Sequence, residues 1–194
     1  MIYSIEGKIV RRGDNFVVVD AHGLGFKLFM SERSLRNLPG LHERAMLFTH
    51  LQPREDAMEL YGFVSEAELE FFEMLISVSG VGPKSALAIL GITDLKSLAA
   101  AIKENRPDLL TRASGIGRRT AERIIVELKS KVEAKGSGET VKKMEHDIDI
   151  VEALVDLGYR REDAKVAVSK VDEKVKNLEE RLKATLKILG GKRA

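Results

Sequence analysis

Two stretches of this sequence, 35 residues apart, are copies of one another. Leu75, Ser79, Gly80, Gly82, Ala86 and Ile89 return as Leu110, Ser114, Gly115, Gly117, Ala121 and Ile124, with Val81 matched by Ile116 and Lys84 by Arg119. A chain that repeats itself over such a distance builds the same local unit twice. Here each unit reads Ser-Gly-aliphatic-Gly-x-basic-x-Ala between two apolar runs at helical spacing, so the spacing predicts two helices joined by a tight turn, made twice.

The residue types in that turn point to a ligand. Glycine enters left-handed torsions cheaply and has no Cβ to hold another backbone away. The amides at the start of the following helix lack intrahelical partners and sit at the positive end of its dipole, which makes an anion site. Lys84 and Arg119, one turn further on, add a full positive charge, and Pro83 takes a first-turn position that can do without its N–H. The second copy has Arg118 in place of Pro83. Two such turns, joined by residues 92–107, are spaced to hold backbone phosphates on either side of a minor groove, which recognises the shape of DNA without reading bases.

The rest of the chain divides into three further stretches. Residues 2–11, 16–20, 24–30, 45–52 and 58–63 are β-branched and aromatic runs separated by turn residues, as in a small antiparallel barrel. A short helix is expected over 31–38, with Ser31 as its cap and Pro39-Gly40 as its stop. Phe16, Phe26 and Phe48 are expected to fill the barrel. At Ser65 the period changes to helical, with Leu69, Phe72, Leu75 and Ile76 behind an acidic first turn. Residues 133–145 carry Gly136-Ser137-Gly138 among Lys and Glu, the composition of a flexible linker. Beyond it, 148–157, 161–171 and 178–189 read as three short amphipathic helices, the first stopped by Gly158. The expected architecture is multidomain α+β: a barrel over 1–64, an all-α tandem hairpin domain over 65–132, a linker over 133–145 and a three-helix domain over 146–194.

Composition sets the limits within which this works. Lys+Arg number 32 against Asp+Glu 30, so the net charge of +2 gives almost no overall pull on a polyanion and the basic groups that bind one must be placed locally. Cysteine is absent, which removes disulfides, thiol nucleophiles and thiolate metal sites together. The lack of a long apolar run and of a signal-like N-terminus predicts a cytoplasmic protein with no membrane partner.

Gly80-Val81-Gly82-Pro83-Lys84-Ser85-Ala86 and Gly115-Ile116-Gly117-Arg118-Arg119-Thr120-Ala121-Glu122-Arg123 resemble the paired helix-hairpin-helix motifs of the RuvA family. Phe48-Thr49-His50, Arg54-Glu55-Asp56-Ala57 and Leu60-Tyr61-Gly62-Phe63 resemble that family's oligonucleotide-binding-type (OB-like) barrel. Residues 152–159 resemble its C-terminal three-helix domain, of the ubiquitin-associated (UBA-like) kind. The resemblance implies a tetramer that holds a four-way Holliday junction open and nearly flat during recombination and repair. Whether one tetramer or a face-to-face pair encloses the junction stays open.

On that resemblance the turns at Gly80 and Gly115 present the amides of Val81, Gly82, Ile116 and Gly117, which hold phosphates together with Lys84, Arg118, Arg119 and Arg123. Glu122 and Glu127 stand close enough in sequence to pair with Arg123. Glu55 and Asp56 match the family's acidic pins near the junction centre, which repel phosphates and guide strands apart. Without the resemblance, two acids after Pro53-Arg54 are an ordinary solvated turn.

The resemblance also implies partners: RuvB, a separate hexameric ATPase bound by the C-terminal domain, and a junction resolvase. The Leu178, Leu182, Leu186 and Leu189 stripe is the candidate motor contact, although such a stripe at helical spacing is more often core. No cofactor is expected. Neither Gly136-Ser137-Gly138 nor Gly190-Gly191-Lys192-Arg193 has the spacing of an ATPase phosphate loop.

Two other classes compete. Helix-hairpin-helix motifs also anchor glycosylases and nucleases, but His22, His42, His50 and His146 show no metal-ligand spacing, and Asp94 and Glu122 read as helix-start or surface charges. A generic single-strand platform calls for exposed aromatics, yet aromatic content is 5% with no Trp.

Overall fold

A computed structural model of the chain describes residues 2–54, 57–132, 137–172, 175 and 177–190. The N-terminal strands are β1 (Ser4–Arg12), β2 (Phe16–Ala21), β3 (Leu24–Phe29), β4 (Arg44–Pro53) and β5 (Met58–Phe63). They close into a barrel in the order β1-β2-β3-β5-β4, with every neighbouring pair antiparallel except β3 and β5. Helix α1 (Glu32–Arg36) lies between β3 and β4. It starts where predicted, the Ser31 Oγ accepting the Ser34 amide at 3.1 Å.

Side-chain alternation sets what fills the barrel. In β2, Val17 and Val19 are buried with Ile5, Ile9, Leu28 and Leu47, while their neighbours face outward. Phe16 is therefore not a filling residue. It faces out from β2, with the Lys27 ammonium 4.4 Å from its ring centroid. Phe26 packs on the barrel core, whereas Phe48 packs instead against the core of the helices that follow and edge-on to Tyr3.

The change of period at Ser65 marks a change of secondary structure but not of core. Helix α2 (Glu66–Ile76) is capped by the Ser65 hydroxyl, which accepts the Glu68 amide at 3.2 Å. Its Phe72 is fully buried against Phe63 and Tyr61 of β5, with ring centroids 4.8 and 5.4 Å away. The same cluster runs on through α3 (Pro83–Leu90), α4 (Leu95–Lys103), α5 (Pro107–Leu110) and α6 (Arg118–Leu128) to Val132. Barrel and hairpin helices thus share one compact unit over residues 1–135.

The second compact unit covers residues 136–194 and contains α7 (Ser137–Asp156), α8 (Arg161–Ser169) and α9 (Leu178–Gly190). Of the predicted linker, residues 133–136 lie outside the described residues, but from Ser137 onward the chain is helical. Glu139, Lys142, Lys143, Met144 and Glu145 are good helix formers that outweigh Gly138, Thr140 and Val141, and Met144 is buried. Helix α7 ends as the sequence predicts. Gly158 has φ +88°, its amide donates to the Val155 carbonyl at 2.9 Å, and the Tyr159 amide donates to the Leu154 carbonyl at 3.0 Å.

The core of this unit is Ile150, Val151, Leu154, Ala164, Ala167, Val168 and Leu189. A feature unseen in the sequence sits beside it: the Arg181 side chain is 1% exposed. It donates to Asp147 Oδ1 from Nε at 2.8 Å and to the Val175 carbonyl from Nη1 at 2.7 Å. A buried guanidinium is tolerated only when its donors are met in this way.

Candidate nucleic-acid interface

The two repeated turns have nearly identical backbones. In the first, Gly80 takes φ +86°, Val81 is buried, and Gly82 (φ −87°, ψ 168°) caps α3, whose first internal bond runs from the Ala86 amide to the Gly82 carbonyl at 2.9 Å. In the second, Gly115 takes φ +81°, Ile116 is buried, and Gly117 (φ −82°, ψ 167°) caps α6, with the Ala121 amide donating to the Gly117 carbonyl at 3.0 Å. The left-handed torsion at Gly80 and Gly115 is the reason glycine is needed there.

The roles expected of the aliphatic residues change. The Val81 amide donates to the Val78 carbonyl at 3.0 Å and the Ile116 amide to the Ala113 carbonyl at 3.2 Å, so both are engaged inside the protein. Their side chains plug each turn into the core. The donors left at each turn are those at the start of the helix itself, beginning with Gly82 and Gly117.

Gly82 and Gly117 present a different case from Gly80 and Gly115. Their torsions are open to any residue, and a Cβ built on either meets nothing within 4 Å. Nothing within the fold requires glycine at these two positions. What glycine provides there is open space over the first amides of α3 and α6, and neither helix start is closed by a side-chain cap. By contrast α1, α2 and α4 are capped by Ser31, Ser65 and Asp94.

Lys84, Arg118 and Arg119 are exposed in the first turn of these two helices. Arg118 lies 3.0 Å from Glu122 one turn along, but with the side chains 78% and 52% exposed the pair is weak and can be exchanged for another anion. Lys84 and Arg119 are in no ion pair among the described residues. Arg123 does not pair with Glu122 or Glu127. Its Nη1 donates to the Ser79 carbonyl in the other hairpin at 2.9 Å.

Glu55 and Asp56 lie outside the described residues. On either side of them, the Arg54 amide donates to the Ala57 carbonyl at 2.8 Å and Arg54 pairs with Glu59 at 3.0 Å. Glu59 also accepts the Tyr61 hydroxyl at 2.7 Å, and burial together with that carboxylate pushes the Tyr61 phenol up to about 12. Of the leucine stripe on α9, Leu189 is buried and Leu182 and Leu186 pack on the same core, leaving Leu178 as the exposed member. The stripe is chiefly the inner face of its own unit. Among the described residues no group of three or more His, Asp or Glu is placed to hold a metal ion, and no single helix is long and apolar enough to cross a membrane.

Comparison with known families matches three stretches of the chain, in the order barrel, hairpins and C-terminal helices. The RuvA N terminal domain family matches residues 1–62, the SAM-like helix-hairpin-helix tandem family residues 72–130, and the RuvA C-terminal domain family residues 149–190. The relatives include the Holliday junction branch migration complex subunit RuvA of Dehalococcoides mccartyi (strain CBDB1), 39% identical over 194 residues that span 99% of this chain and 100% of the relative. The protein of the same name from Caldanaerobacter subterraneus subsp. tengcongensis is 40% identical over 191 residues, 97% of this chain and 99% of the relative. That from Clostridium botulinum (strain 657 / Type Ba4) is 36% identical over 196 residues, with the same coverage. With barrel, tandem hairpins and three-helix unit in the same order, and identity sustained over nearly the full length, the chain belongs to the RuvA family.

Proposed function

We propose that this chain is the DNA-binding subunit of a Holliday junction branch-migration machine. It holds four-way junctions by their phosphates and leaves ATP hydrolysis to a separate RuvB-type motor. The observation that carries this reading is the pair Gly82 and Gly117, whose missing side chains keep open the space over two equivalent uncapped helix starts. Only a group from outside the protein gains from that space. A phosphate oxygen satisfies the unpaired amides and meets the positive helix ends. Lys84 beside the first turn, and Arg118 and Arg119 beside the second, complete each site. No base edge is read, so recognition rests on the path of the backbone.

The remaining roles follow the family. Four copies around a junction would align one pair of hairpins with each duplex arm, and Glu55 and Asp56 would act near the centre as fixed negative charges that part the strands. The C-terminal unit would engage the hexameric ATPase. The packing of Leu182, Leu186 and Leu189 supports a mainly structural part for that stripe, with Leu178 available for contact.

The test is a competition among four-way, linear duplex and single-stranded DNA of equal length at fixed salt. Preference for the four-way form by at least about tenfold, lost when Gly82→Val and Gly117→Val are combined, is the expected result. Equal affinities for the three forms would reduce the chain to a generic nucleic-acid-binding module.

A further inference from the structure

The two hairpins are tied to each other at points that the repeat does not reveal. Arg123 projects from α6 and donates through Nη1 to the Ser79 carbonyl in the first turn at 2.9 Å. That guanidinium also lies against Gly80, where a built Cβ would stand 3.6 Å from Nη1. In the opposite sense, Ser85 of α3 lies against the second turn, its Oγ 3.3 Å from a Cβ built on Gly115. Each left-handed glycine therefore faces a side chain from the helix of the other copy.

We infer that Arg123 is a positioning residue, a strut that fixes the separation and mutual tilt of the two phosphate-binding turns, and is not itself a phosphate ligand. This deepens the reading above and rests on it. Position 88, which corresponds to 123 in the first copy, is alanine, so the strut is built in one direction only. Its acceptor is a backbone carbonyl, and a carbonyl one residue before a left-handed glycine moves whenever the turn rotates. Holding that carbonyl ties the first turn to the axis of α6. Binding across a groove requires both turns at once, and the gain from the second contact depends on its geometry being set in advance. A strut between two contacts changes that gain without adding a charge to the DNA.

The test uses the full-length protein, an immobile four-way junction and Arg123→Met, which keeps the aliphatic stem and removes both donor and charge. Binding is measured over a range of salt concentrations in the wild-type background and in the Gly117→Val background, where the second turn is blocked. A phosphate ligand lowers the slope of log affinity against log salt by about 1 when it is removed.

For the strut, Arg123→Met weakens binding about tenfold in the wild-type background with the slope unchanged. It has little effect once Gly117→Val has disconnected the second turn, because contacts that act only together are non-additive. A slope lowered by about one, an equal loss in both backgrounds, or no loss in either would overturn the assignment. The parent reading is judged separately, since it fails if Gly82→Val with Gly117→Val leaves junction binding intact whatever Arg123→Met does.

Discussion

The first and second hairpins share a backbone and differ in how they are charged. Gly80 and Gly115 differ by 5° in φ, from +86° to +81°, and Gly82 and Gly117 have matching extended torsions. Val81 and Ile116 are plugged into the core to nearly the same depth, and Ala86 and Ala121 are both fully buried. The helices that follow are not alike. Helix α3 opens with Pro83 and a single lysine and continues as an apolar segment, while α6 opens with two arginines, one of them held by Glu122, and sends a third back to the first turn. The repeated residues are those that set backbone shape. The residues free to vary set how much charge each turn carries and which turn supports the other.

Blocking both turns tests the shared part of this comparison and should have the largest effect. A valine side chain at Gly82 or Gly117 points into open space, so the fold is kept, at a cost of about 1 kcal/mol or less per helix cap. On the proposed reading each blocked turn loses charge-assisted hydrogen bonds worth roughly 1.5–3 kcal/mol, so junction affinity should fall at least about tenfold for a single variant and further for the pair, by less than a second equal factor because the two turns act together. The single variants, compared by titration alongside thermal unfolding, show whether the hairpins contribute equally. A large loss from one and none from the other would mean that the matched backbones do not have matched roles.

Charge comes next. If these side chains hold phosphates as proposed, Lys84→Gln and Arg119→Gln should each weaken binding severalfold and lower the salt slope by about 1. Unchanged slopes would take these side chains off the DNA. A smaller effect, in the opposite direction, is expected of Glu122→Gln. It releases Arg118 from a surface pair worth about 0.3–0.5 kcal/mol and should tighten binding about twofold at low salt, an effect confined to the second hairpin.

The smallest effect concerns the wall on which both hairpins rest. Tyr61 belongs to the core cluster that contains Val81 and Ile116, and its phenol is raised from 10.0 to about 12 by burial and by Glu59. A raised value means that the folded state holds the proton more tightly, so this contribution is complete below pH 10 and lost as the pH climbs toward 12. Tyr61→Phe should flatten the dependence of unfolding free energy on pH in that window and leave junction affinity at neutral pH unchanged. A Tyr61→Phe protein that keeps the alkaline dependence would place its source elsewhere.

Much of this could be read from residue types because the signals were local. A left-handed glycine, a serine cap, strand alternation and a glycine stop each depend on a few neighbouring residues, and Gly80, Gly115, Ser31 and Gly158 all do what their sequence context predicts. The readings that changed did so for two reasons, one tertiary and one local. Phe16 satisfies a strand pattern on either face, and the register of β2 turned it outward. Gly136-Ser137-Gly138 has linker composition, yet the helix-forming residues that follow carry α7 back to Ser137.

The sequence by itself determined the elements, the two-fold repetition of the turn and the residue types that an anion would find there, because backbone torsions and helix ends respond to adjacent side chains. Tertiary structure decided the rest. It joined barrel and hairpins in one core through Phe72, took the Val81 and Ile116 amides out of service, gave Glu122 to Arg118, and reserved Arg123 for the opposite turn. Each of these outcomes is a choice among partners of similar chemistry. Such choices are made by distance and burial, which exist only once the chain has closed on itself.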